Sequence, residues 1–182
     1  MKKLAIAFLA FAAMVAQAAN FVQVEQENVR GREGGDGSAV SYVRAGKDLG
    51  DYNLGVQSRT ARFNAGGTAS SLEGYLSNKN VSAFGITPFV GVGRDFGGDA
   101  TKSAYSYGLV GATYGRQIGP GFALVGAKTR VGSTEDTRTK QTVTFASYSV
   151  PVAKDVAVSV GVSRSADDIK EDGFSVGLTF GF

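Results

Sequence analysis

Cysteine and histidine are both absent from the sequence. Without cysteine there is no disulfide framework and no thiolate chemistry, so the fold must rest on backbone pairing and burial. Without histidine, a Ser or Asp nucleophile would need Lys or a carboxylate as its base, and no such constellation stands out. Amphipathic helical periodicity of useful length is missing as well. Apolar runs are scarce, the longest being "LAIAFLAFAAMVA" near the start, which is too short for a comfortable membrane-spanning helix and lacks a stop-transfer flank.

That run belongs to a different pattern. "MKK" supplies a positive n-region, the apolar run an h-region, and "AQA" a small-residue cleavage site, so residues 1–18 read as a secretory signal peptide and 19–182 as the mature domain. Losing Lys2 and Lys3 lowers the formal charge from +3 to +1. No basic tract for nucleic acid remains. The 26 glycines follow no Gly-X-Y period, which excludes collagen and points to strands, turns and close backbone contacts.

What fills the mature chain is alternation. Val156, Val158, Val160 and Val162 alternate with Ala157, Ser159, Gly161 and Ser163, and comparable segments recur at turn-rich intervals. Units of about ten alternating residues are the signature of a transmembrane β-barrel. The segments predict strands over 21–30, 38–46, 51–63, 68–77, 83–95, 103–117, 121–132, 140–150, 156–165 and 173–182. This is an all-β, antiparallel up-and-down barrel of ten strands, with eight as the alternative if the short segment 68–77 is lost. Breaks such as "GREGGDG" and "ADDIKED" alternate with tight ones such as "GKDLG" and "IGPG". Pro88 is the misfit, since it removes a ladder donor, and is expected at a bulge or a weakly paired position. A soluble sandwich or lipocalin-like barrel fits less well, because the parity that would meet water is Ala, Ser and Gly.

The chain closes on "GFSVGLTFGF". Ser175, Gly177, Phe180 and Phe182 resemble the C-terminal assembly signal of bacterial outer-membrane barrels. That resemblance implies recognition by the barrel-assembly machinery and residence in the outer membrane, in contact with its lipid and lipopolysaccharide. Over the mature length the chain resembles the small OmpA- and OmpX-type barrels in signal, size, short turns and ending, although those have eight strands. Enzymatic barrels of that membrane rely on histidine, so the resemblance implies no enzyme here.

Parity places Glu25, Glu27, Arg44, Arg59, Glu73, Lys128 and Arg130 opposite the lipid face. An Arg or Lys facing lipid at mid-depth would cost about 2–4 kcal/mol, which favours the lumen. These seven are expected to form a charged network filling much of the bore, with Arg59 and Glu73 meeting across one hairpin. Small residues at Gly85, Gly91, Gly93, Ser159, Gly161, Ser175 and Gly177 are expected to make room for them. The acidic run holding Asp167, Asp168, Glu171 and Asp172 reads as a solvated loop without the ligand spacing of a calcium loop. "GVGRDFGG" and "GGDATKS" lack the full spacing of a phosphate loop. No metal or cofactor is expected. The resulting expectation is a non-enzymatic outer-membrane barrel serving as envelope scaffold or in surface interaction, with a narrow channel for ions or small polar solutes as the alternative.

Overall fold

A computed structural model describes residues 20–32, 35–98, 104–133 and 138–182; the expected signal segment 1–18 lies outside the described residues. Ten strands run in chain order: β1 (Phe21–Gly31), β2 (Ser38–Leu49), β3 (Tyr52–Phe63), β4 (Thr68–Asn78), β5 (Ile86–Asp95), β6 (Tyr105–Ile118), β7 (Gly121–Ser133), β8 (Arg138–Ala153), β9 (Val156–Asp167) and β10 (Glu171–Gly181). Each pairs antiparallel with its sequence neighbour, and β1 closes on β10. A closed sheet has no unpaired edge, which is what hydrocarbon surroundings demand of a spanning β-structure.

The registers fix the size of the barrel. Following directly paired residues once around, Tyr105 pairs with Asp95, which leads through Ser71, Arg59, Tyr42, Glu25, Gly177, Ser159, Ser149 and Phe122 to Gln117. The path returns to β6 displaced from residue 105 to residue 117, a shear of 12. Ten strands with that shear tilt by about 40° and place the backbone about 10 Å from the axis. Both rims are then nearly level, and the wall is roughly 30 Å tall.

Outward positions sort by height. In the half of the wall nearer the chain termini they are apolar and exposed, as at Leu54, Leu76, Val90, Val125, Val160 and Leu178. Toward the other rim, Gln26, Ser41, Thr60, Arg62 and Arg164 take over, all exposed. Inward positions show a second pattern, rings lying over glycines on the adjacent strand. A Cβ at Gly46 would strike the Phe21 ring, one at Gly93 the Tyr107 ring, one at Gly126 the Phe145 ring, and one at Gly55 the Tyr75 ring. Each of these pairs is directly opposite in the ladder. Of the inward glycines expected to make room for side chains from the opposite wall, Gly93 therefore seats a ring from the neighbouring strand, whereas Gly161 and Gly177 lie against the Ser175 and Ser159 hydroxyls.

At β5 one expectation changes and another is met. The strand begins at Ile86, since Ala83 and Ile86 close a tight turn with two backbone hydrogen bonds and positive φ at Phe84 and Gly85. Gly85 is thus a turn residue, and Phe84 stands 98% exposed on it. Pro88 pairs with Ala112 of β6 but lies just past the last β4 pair, Ser77 with Phe89. Its missing donor consequently costs no ladder bond on the β4 side. Among the described residues, the register shift lies elsewhere, between Pro151 and Ala153.

Candidate functional site: the charged lumen

All seven charged positions singled out by parity face the interior. Glu73 on β4 is 2% exposed and is the hub. Lys128 Nζ donates to it at 2.9 Å and Arg130 Nη2 lies at 2.5 Å, both from β7, three strands away. The hydroxyl of Tyr107 donates at 2.9 Å and Gln57 Nε2 at 3.2 Å. Glu73 pairs directly with Gly93 on β5, and Lys128 with Gly111 on β6. The Tyr107 ring lies over Gly93 and the Phe89 ring over Gly111, and Tyr107 itself donates to Glu73 between the two strands.

A second centre lies toward β1. Arg44 on β2 holds both oxygens of Glu25, at 2.5 and 3.3 Å, and its Nε donates to Gln57 Oε1 at 2.7 Å. Its guanidinium carbon sits 4.5 Å over the Tyr42 ring. Gln57 therefore links the two centres, accepting from Arg44 and donating to Glu73. Arg130 extends the chain to Gln141 on β8 at 2.7 Å. The result is a continuous polar network from β1 through β4 to β8, built of charge-assisted bonds that are roughly twice as strong as neutral ones.

Glu27 forms a third centre, accepting from the hydroxyls of Tyr42 at 2.6 Å and Ser163 at 2.5 Å. Arg59 faces this group, with Tyr42, Glu171 and Glu27 around it. The expected meeting of Arg59 with Glu73 does not occur: Arg59 pairs with Ser71 in the ladder, and Glu73 with Gln57. Glu171 is an addition that the sequence reading placed in a loop. It begins β10, shares the inward parity of Gly173 and Ser175, and lines the same interior. Extending that alternation two residues upstream would have found it. Asp167 and Asp168 do hold the loop end together, through Thr142, the Lys140 side chain and the Lys140 amide.

The network does not fill the bore. A cavity of about 380 Å³ remains, reaching from Phe21 and Ser77 near the turn rim to Ser165 and Glu171 near the loop rim. One side of it carries Arg44, Arg59, Lys128 and Arg130 with their carboxylate partners; the other is the small-residue wall of Ser147, Gly161, Ser163 and Ser175. Room for on the order of ten water molecules follows from that volume. At the end of the chain, Ser175 and Gly177 face the interior side of β10, while Phe174, Val176, Leu178 and Phe180 are exposed on the outside. The backbone N–H of Phe182 donates to Asn20 at 3.0 Å, which ties the last residue to the start of β1.

No family model and no curated protein sequence matches this chain. Solved structures match it in fold. The KdgM porin in complex with disordered oligogalacturonate is 9% identical with a TM-score of 0.51, over 89% of this chain and 99% of that one. The translocator domain of the autotransporter NalP from Neisseria meningitidis is 13% identical with a TM-score of 0.48, over 98% and 96%. Neisserial surface protein A is 11% identical with a TM-score of 0.44, over 89% and 96%. What this chain shares with them is the closed antiparallel barrel of bacterial outer-membrane proteins.

Proposed function

We propose that this protein is a non-enzymatic outer-membrane barrel whose interior is a narrow, charge-lined passage for ions or small polar solutes. The supporting observation is the cavity that runs between a wall of paired charges and a wall of serine and glycine. Basic groups Arg44, Arg59, Lys128 and Arg130 alternate with acidic groups Glu25, Glu27, Glu73 and Glu171 along it, so the lining has no net sign. Such a lining favours hydrated solutes over apolar ones and selects weakly between cations and anions. In the same reading the protein is exported by the signal segment, inserted by the barrel-assembly machinery through Ser175, Gly177, Phe180 and Phe182, and surrounded by outer-membrane lipid and lipopolysaccharide.

Single-channel recording of the refolded protein in a planar bilayer tests the proposal. Steady openings are expected in the wild type. Ser147→Trp, which puts a large ring on the small-residue wall without touching the charge network, should reduce their conductance. A folded, inserted protein that passes no current above the bare bilayer would exclude the passage. In that event the networked charges read as internal bracing, and the protein is an envelope scaffold.

A further inference from the structure

The outer wall carries a feature that neither the lumen nor the barrel's closure requires. Gly74 on β4, Val92 on β5, Gly108 on β6 and Val131 on β7 form one row of directly paired residues, small and large in turn. All four lie on the outward parity. Open space surrounds both glycines where a Cβ would stand, in contrast to inward glycines such as Gly55 and Gly93, which are covered by rings. The row is thus notched at two places beside a valine ridge, Val92 being 70% exposed. Leu72 and Phe96 add apolar walls to the resulting groove.

Above this row stands a cation. Arg94 pairs directly with Leu72 on one side and Ser106 on the other, at the loop-end border of the apolar wall. It is exposed, and its Nη1 donates to the Ser106 hydroxyl at 3.3 Å. It has no carboxylate partner among the described residues. Arg62, on the other side of β4, is also exposed and outward at this rim.

We infer that this groove holds one acyl chain of an anionic membrane lipid, with the lipid phosphate at Arg94. The occupant follows from position and charge together. The groove is open toward the surroundings of the barrel, its floor and walls are apolar, and its upper end offers a guanidinium whose planar donors match phosphate oxygens. The two notches let a chain lie against the backbone where a side chain would otherwise hold it off. This inference rests only on the barrel spanning a bilayer and is independent of whether the lumen conducts.

The chain contains no tryptophan, so one introduced at a chosen site reports alone. We would place it at the groove, Leu72→Trp, or on the far wall, Leu178→Trp. Each variant would be reconstituted in phosphatidylcholine vesicles containing either dibrominated phosphatidic acid or dibrominated phosphatidylcholine. Quenching at Leu72→Trp should show a relative binding constant on the order of five-fold in favour of phosphatidic acid, the effect of about one arginine at an anionic surface. Leu178→Trp should show none. Adding Arg94→Gln should abolish the preference, and adding Gly108→Leu, a lipid-facing apolar change that fills a notch, should weaken it. Equal ratios at the two positions, or a preference that survives Arg94→Gln, would overturn the inference. Absence of quenching by any brominated lipid at either position would also overturn it, by showing that the barrel does not insert.

Discussion

Replacing Glu73 with alanine tests the lumen network at its hub. The substitution removes a carboxylate that is 2% exposed and accepts from Lys128, Arg130, Tyr107 and Gln57. It leaves two cations with side-chain exposures of 16% and 17% next to one another on β7, without the anion between them. Breaking a buried pair by removing one partner costs about 3–5 kcal/mol. Because the neighbouring cavity can admit water to the stranded cations, the lower end applies, about 3 kcal/mol, or roughly a hundred-fold in the unfolding equilibrium. Reversible urea unfolding in lipid vesicles, followed by far-ultraviolet circular dichroism, would measure it. The double variant Glu73→Ala/Lys128→Met should recover part of the loss, since it removes one stranded charge and substitutes an apolar chain of similar length. A Glu73→Ala barrel within about 0.5 kcal/mol of wild type would refute the idea that this carboxylate braces opposite walls.

Two other outcomes follow from the wall. Gly55→Val should destabilise the barrel by about 1–3 kcal/mol, because the Tyr75 ring occupies the space the new side chain needs; Gly74→Val, facing open space on the outside, should fall within about 0.5 kcal/mol of wild type in the same unfolding experiment. Deleting Phe182 should slow assembly in cells and leave unfolded chain in the periplasm, yet change the stability of barrel refolded in vitro little, since the residue is 72% exposed and contributes one backbone bond to Asn20; native protein recovered without detergent from the periplasm would contradict the membrane assignment.

Strand number, strand order and the direction of seven inward charged side chains could be read from the sequence, because period-two alternation is a local property of an extended chain and lipid penalises the wrong parity. Glu25, Arg44, Glu73 and Lys128 are inward for that reason alone, and the short segment 68–77 is indeed β4. The tight turn at Phe84 and Gly85 was missed because apolar residues in a turn imitate a strand start. Which charges meet was beyond reach of parity. Partners in a barrel are set by ladder register and by the shear of the closed sheet, and both are sums over all ten strands. Thus Glu73 reaches past β5 and β6 to Lys128 and Arg130, 55 and 57 positions away, while Arg59, two ladder rungs from Glu73's partner Gln57, joins Glu27 and Glu171. The glycines show the same division. Alternation put Gly93 inside and Gly74 outside, but only the neighbouring strands determined that one seats the Tyr107 ring and the other stands open at the edge of a groove.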